Sequence, residues 1–495
     1  MRSFFLVITA FCLLAGCSGS SVFVPSPKTV STVHDTVAVE KSKENEPAPL
    51  QKPATEDTGA SGEDALDFAL AFADTVRMET PEPAQPPLSP LHTTDKIPSA
   101  EPGKSVFVPC RMVRVALFQN ISRIFMYSLD TVEIRHRFRQ QDELCRGRIS
   151  ITAGKMKGEI PGVVLEVSGT KKFTAFLPCT LLARSGQNYF ELGEHSYRGS
   201  IILADGKDGS FSVVNYCTVE EYLRGVVPLE IGKRPDSDIE AIKAQAVAAR
   251  TYTYKKIVQN RARPFDLVAT IEDQVYGGVN AENPVSDRAI QMTENRVMVY
   301  GDSLIYAYYH STCGGVTANI DEVWNKQPLP YLKQIRDVGA DGRAFCSISN
   351  QFTWKETWQT QALSSIAQRY SRGESSKTGP VKGMITRITV KDRYRCGRVS
   401  TCRIAAGGAA YEYTGDRIRF VLRRNSAGHP ILRSLYFEVL EVNAKYVKLS
   451  GRGYGHGIGM CQMGALGRAR AGQTFEEILR AYYSGIAIVA IISPK

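Results

Sequence analysis

Half of the prolines in this 495-residue chain, 12 of 24, lie between Ser18 and Lys104, in a stretch otherwise rich in Ser, Thr, Ala and Glu. Such a stretch buries too little apolar surface to offset its ordering entropy. It is therefore expected to be a disordered spacer, apart from a short amphipathic helix over Ala65 to Met78. The folded body must then begin near residue 105. Hydrophobic residues make up 43% of the chain and charged residues 22%, which is ordinary soluble usage. At roughly 150 residues per domain, the length allows about three domains. A small stapled scaffold, a wholly disordered chain and a polytopic membrane protein are all excluded.

The first seventeen residues read as a targeting segment: Arg2, an apolar run from Phe4 to Leu14, then Leu14-Ala15-Gly16-Cys17. The run is too short to span a bilayer and has the length of a signal-peptide core. The residues before Cys17 resemble a bacterial lipobox, which implies an acylated Cys17 as mature N-terminus and a lipid anchor. The alternative is a cleaved signal with an incidental cysteine. Ser18, in place of an aspartate, points to the outer membrane, facing the periplasm, where the cell has two membranes.

Charge divides sharply along the chain. Residues 18–104 carry 7 Lys or Arg and 14 Asp or Glu; against the chain's +11, residues 105–495 hold a net +17. A strongly basic body points to an anionic partner. Nucleic acid would be the default in the cytoplasm, but the signal peptide argues against it. Outside the cytoplasm the abundant polyanions are cell-wall glycan, through its carboxylates, and acidic lipid. With Cys12 in the signal and Cys17 lipidated, nine cysteines remain in an oxidising compartment where disulfides persist. Proximity suggests Cys110–Cys145, Cys179–Cys217, Cys313–Cys346 and Cys396–Cys402, with Cys461 left over.

From Ser105 the pattern turns to short β-rich runs broken by turn residues, such as Gly162 to Val167, Phe173 to Leu177 and Ser210 to Val214. A helix is expected from Ser237 to about Val258, with Ser237 and Glu240 as a capping box. On it, Lys243 and Arg250, seven residues apart, share a face. A second box, Thr474 with Glu477, should open a helix reaching about Tyr483.

Three segments carry candidate chemistry. The first is Tyr222-Leu223-Arg224-Gly225-Val226-Val227-Pro228-Leu229-Glu230-Ile231-Gly232 with the helix that follows. The second is Tyr309-His310-Ser311-Thr312-Cys313-Gly314-Gly315. The third runs from Gly451 to Ala465, with glycine at every second position up to Gly459. In order and spacing these segments resemble the SpoIID family, which includes the amidase-enhancer proteins called LytB, over about residues 195–485. The resemblance implies an α+β fold: a SpoIID-like catalytic domain (195–490) after a signal peptide (1–17), the linker (18–104) and a β-rich region (105–194). It also implies lytic transglycosylase action on peptidoglycan glycan strands, preferentially those stripped of stem peptides, with Glu230 as catalytic acid. A cell-wall amidase is an implied partner. No organic cofactor is implied, and no residue is assigned to a metal.

The residues support this chemistry separately. Glycosidic cleavage needs a carboxylic acid on the leaving oxygen and usually a second carboxylate. A lytic transglycosylase needs only one, because the C6 hydroxyl of the muramic acid is the nucleophile. Val226, Val227, Leu229 and Ile231 flank Glu230, and apolar surroundings favour its protonated form. Lys243 and Arg250 are then expected to face substrate rather than Glu230. If the glycine-alternating run is extended, Arg452, Tyr454 and His456 line one side, with Tyr454 and His456 on the sugar; the alternative is a tight structural loop with a buried histidine. It is not a phosphate loop, since no Gly-x-Gly-x-x-Gly sits between a strand and a helix and no Gly-Lys-Ser/Thr follows. His310, Cys313 and Cys346 offer donors for zinc, against a Cys313–Cys346 disulfide. Trp324 and Tyr331 are read as core, with a sugar platform as the alternative, and Asp273 and Tyr276 as structural supports. Two rival functions stay open: a glycan-binding amidase enhancer that does not cut, and a two-carboxylate hydrolase pairing Glu230 with Asp238 or Asp273.

Overall fold

A computed structural model describes residues 105–492, except 109, 137–142, 156–159, 169–170, 185–188, 372–379 and 425–430. The expected signal peptide, Cys17, the linker and the Ala65–Met78 helix lie outside the described residues. Among those described, no helix is long and apolar enough to cross a membrane.

Residues 112–218 form one large sheet. Its strands run in the order Met112–Ile121, Phe211–Thr218, Ser200–Asp205, Cys179–Ala183, Arg123–His136, Glu143–Lys155, Pro161–Val167 and Lys171–Phe176, all antiparallel. Leu267–Val268 joins parallel to Met112–Ile121. Inward alternation fills its core with Val113, Val115, Ile149, Ile151, Val163, Leu165, Leu181, Ile201 and Leu203, all fully buried. The 194/195 position falls inside this sheet, between Phe190–Leu192 and His195–Tyr197, which pair with each other.

The chain then turns helical. Thr218 and Glu221 form a capping box that opens α1 (Val219–Arg224), and Gly225 ends it. One residue later comes the short α2 (Val227–Glu230), with Pro228 in its first turn, where a missing N–H costs nothing. The long α3 (Ile239–Gln259) is buried along almost its whole length. The box expected at Ser237 does not form. A tight turn over Asp236–Asp238 precedes α3, and Glu240 bonds to Lys243 and to the Phe475 N–H instead of reaching back.

Three further helices are α4 (Pro284–Met292), α5 (Ile320–Trp324) and α6 (Thr360–Tyr370). Near the C-terminus come α7 (Arg417–Val421), α8 (Gln462–Arg470) and α9 (Phe475–Tyr482). The predicted Thr474–Glu477 box caps α9 with both reciprocal bonds present. Two three-stranded antiparallel sheets lie between α5 and α8, one built from Thr353–Gln359, Tyr446–Arg452 and Phe437–Val442, the other from Ile385–Arg393, Val399–Ala406 and Ala409–Thr414. Ser105–Phe107 pairs parallel with Ala487–Ile492, whose other edge takes Arg296–Tyr300. The mixture of helices and sheets fits the expected α+β class.

All nine described cysteines are unbridged. Cys179 and Cys217 lie on strands with Ser200–Asp205 between them, too far apart for a bond. Cys145 is on Glu143–Lys155, and Cys110 precedes Met112–Ile121, with four strands between these two in the sheet order.

Candidate functional site around Glu230

Glu230 ends α2 and is completely buried. Its Oε1 accepts a long 3.4 Å bond from the Val275 N–H. Its main-chain carbonyl accepts from Gln462 Nε2 at 3.0 Å, and the same amide lies 3.3 Å from Gln245 Oε1 on α3. Beside the carboxyl stand Tyr222 and Tyr309, joined through Gln274. Tyr222 donates to Gln274 Oε1 at 3.3 Å, and Gln274 Nε2 donates to the Tyr309 oxygen at 3.0 Å. Burial above all pushes both phenols well above the usual tyrosine range, so both keep their protons. Gln245 Nε2 and Gln462 Oε1 are buried without a hydrogen-bond partner among the described residues. Beside the Glu230 main chain there is thus a donor and an acceptor the fold itself does not use.

The cations predicted to share the cleft are elsewhere. At 100° per residue, Lys243 and Arg250 lie about 150° round α3 from Gln245, whose amide meets that of Gln462. Lys243 pairs with Glu240 at 2.6 Å. Arg250 is fully buried; it grips Glu220 through Nε and Nη2 at 2.7 Å each, and donates to the Ile290 and Arg296 carbonyls. That guanidinium fastens α3 to α1 and α4, which corrects its expected role on substrate.

The glycine-alternating run is not extended. Gly453, Gly455, Gly457 and Gly459 all have positive φ, so the backbone coils and the intervening side chains do not share a side. Tyr454 exchanges main-chain bonds with Thr312 and is buried. His456 is buried too: its Nε2–H donates to the Tyr309 carbonyl at 3.0 Å, while Nδ1 accepts from Ile458 N–H. Its ring packs on Trp324 and His310 at 4.7 and 5.3 Å. Tyr454 and His456 therefore build the loop wall rather than lie open to a sugar. Gly459 fixes that wall, since a Cβ there would lie 2.0 Å from the Tyr308 carbonyl oxygen at φ +71°. Gly459→Ala should lower the unfolding free energy by at least about 2 kcal/mol, read by chemical denaturation; an unchanged midpoint contradicts this packing.

Burial pushes His456 down to about 3 and His310 well below the histidine range. Both are neutral when folded, whereas the unfolded chain takes up their protons below about pH 6.5. Stability from these groups is complete above that pH and is lost as pH falls toward 3, at up to roughly 1.4 kcal/mol per pH unit for each. The thermal midpoint should therefore fall from pH 7 to pH 5. In His456→Gln the fall should be shallower; equal slopes would refute the assignment.

Tyr306 and Tyr308, which the sequence did not single out, form a half-exposed aromatic stripe with Trp324. Tyr306 stacks on Tyr308 at 5.9 Å and 7°, and Tyr308 meets Trp324 edge-on at 4.8 Å. Lys255 lies 4.6 Å over Tyr306, Lys326 5.6 Å over Trp324 and Lys256 5.5 Å over Tyr252. Lys256 also pairs with Asp273, two residues from Val275, so the stripe adjoins the loop that touches Glu230. Trp324 is thus partly open where a core position was expected, while Tyr331 is core. Asp273 bonds Tyr252, Lys256 and the Val268 N–H, and Tyr276 bonds Asn215, both within the fold as read.

His310 does not join the thiols. Its Nδ1 donates to the Ile458 carbonyl at 3.1 Å. The donors that converge are Cys313, Cys346, Cys461 and Asp337, all buried. Cys313 Sγ lies 3.5 Å from Cys346 Sγ and 3.3 Å from Asp337 Oδ2. Cys461 caps α8, accepting from the Gly464 and Cys313 N–H groups at 3.2 and 3.1 Å.

The family described as Stage II sporulation protein matches residues 207–300, which include α1 to α3, and a domain of unknown function matches residues 345–459. An uncharacterised protein of Brachyspira hyodysenteriae is 31% identical over 304 residues, 61% of this chain and 75% of that one. The amidase enhancer of Bacillus subtilis is 31% identical over 54% of this chain, which spans only 40% of the enhancer's length. Stage II sporulation protein D of Bacillus subtilis is 28% identical over 54% of this chain and 74% of its own.

Proposed function

The chain belongs to the SpoIID family, and from that premise we propose that it cleaves the glycan strands of peptidoglycan as a lytic transglycosylase of the cell envelope. One observation carries the reading: a carboxyl wholly enclosed at the end of α2, beside two protonated phenols and two amides with unused polar atoms. Enclosure disfavours the charged form of a carboxyl, as an acid catalyst requires. Glu230 gives its proton to the oxygen linking N-acetylmuramic acid to N-acetylglucosamine, and the bond from that oxygen to the muramoyl C1 breaks. The muramoyl C6 hydroxyl then bonds to C1, and its proton passes to the Glu230 carboxylate. The enzyme is restored, and the new end is a 1,6-anhydro sugar.

The Tyr306–Tyr308–Trp324 stripe offers flat apolar faces for sugar rings. Lys255, Lys256 and Lys326 meet the lactyl carboxylates that remain once stem peptides are gone. Segment 271–275 must shift for the glycosidic oxygen to reach Glu230, and the long Val275 bond is the contact that yields. The same full enclosure favours a second reading, a glycan-gripping protein that stimulates an amidase without cutting, as the name of the Bacillus relative suggests.

Mass spectrometry of ends released from strands with and without stem peptides separates the possibilities. Anhydro ends are expected, most abundantly from stripped strands. Reducing ends would instead indicate a two-carboxylate hydrolase. No cleavage, with stimulation of an added amidase, would leave only the enhancer.

A further inference from the structure

Four donors from four distant chain segments meet in one buried spot, and nothing in the proposed glycan chemistry uses them. Cys313 comes from the loop after Tyr309–His310, and Asp337 from a bridge residue's neighbour. Cys346 comes from the tight turn Phe345–Ile348, and Cys461 from the N-cap of α8. Their ligand atoms all lie within 4.8 Å of one another. Zinc–sulfur bonds of about 2.3 Å in a tetrahedron put sulfurs about 3.8 Å apart, close to the 3.5 Å between Cys313 and Cys346.

We propose that Cys313, Cys346, Cys461 and Asp337 form a structural zinc site. Three thiolates and one carboxylate suit a tetrahedral, borderline-soft ion better than an oxygen-seeking one. The surroundings are those of a ligand shell. Arg468 donates to Asp337 Oδ1 at 2.9 Å and Tyr482 to Oδ2 at 2.9 Å, aiming the carboxylate and offsetting the site's excess negative charge. Two main-chain N–H groups point at the Cys461 sulfur, and those of Gly314 and Gly315 at Cys346. A disulfide does not call for these donors, and pairing two of the three sulfurs would strand the third. Gly464 lets the carboxylate in, since a Cβ there would lie 2.3 Å from Asp337 Oδ2.

The ion ties the 313–315 loop to the start of α8. Gln462, the residue after ligand Cys461, holds the Glu230 carbonyl. The site thereby positions α2 without touching substrate.

The test needs no glycan and so stands apart from the cleavage reading. Full-length protein, purified under reducing conditions with zinc sulfate and then desalted, should carry about one zinc per chain by elemental mass spectrometry. Cobalt exchanged into it should show thiolate-to-metal absorption in the near ultraviolet. Cys461→Ser and Asp337→Asn should each lower zinc content, and zinc removal should lower the thermal midpoint, with recovery on zinc addition alone. Absence of zinc from the wild-type protein, or a Cys313–Cys346 disulfide found by peptide mapping with no metal bound, would overturn the proposal. The wild-type measurement decides it even if a variant fails to fold.

Discussion

The Glu230→Gln variant should release anhydro-ended fragments between about a hundredfold and ten-thousandfold more slowly than wild type, the range that a positioned proton donor contributes. Glutamine keeps the size of the side chain and can still accept the Val275 bond, so the fold should survive and glycan binding should stay near wild type. Full-rate cleavage by this variant would remove Glu230 from the chemistry. Lost binding alongside lost cleavage would make its role structural. The rate should respond sharply because the substrate brings its own nucleophile, leaving the acid as the one protein group that must exchange a proton.

Arg250→Ala should cost roughly 3–5 kcal/mol, measured as a shift in the denaturant midpoint, because it breaks a buried, multiply bonded charge pair and leaves a cavity. Glu220 would lose both of its 2.7 Å bonds, and the Ile290 and Arg296 carbonyls would lose their guanidinium donor. Arg250→Lys should recover little of this, since an ammonium cannot span two carboxylate oxygens and two carbonyls in one plane. If Arg250 bound substrate instead, the variant would fold normally and raise KM.

Local signals in the sequence were legible where only neighbours along the chain were involved. Thr474 and Glu477 announce their helix because a capping box needs three residues' separation and nothing else. The apolar neighbours of Glu230 likewise announce its enclosure, whereas the short helix over Val227–Glu230 was not read from them. Ser237 and Glu240 have the same spacing, yet partners remote in sequence, Phe475 among them, claim Glu240. Lys243 and Arg250 do share a helix face, as seven-residue spacing requires. Because α3 is buried nearly all round, periodicity did not say which face meets Glu230. Alternating glycines read as an extended strand until their positive φ values are known. Asp337, Gln245, Gln274 and Gln462 were invisible for another reason: each acts through partners brought near only by the folded chain.

The parallel pairing of Ser105–Phe107 with Ala487–Ile492 has a consequence for synthesis. The earliest described strand has no partner until the chain has been made as far as Ala487–Ile492, so its edge waits unpaired while everything between is laid down. Clipping the last few residues would leave two sticky borders, those of 105–107 and 296–300, open to a neighbouring molecule. Clumping of shortened chains would be the expected hazard.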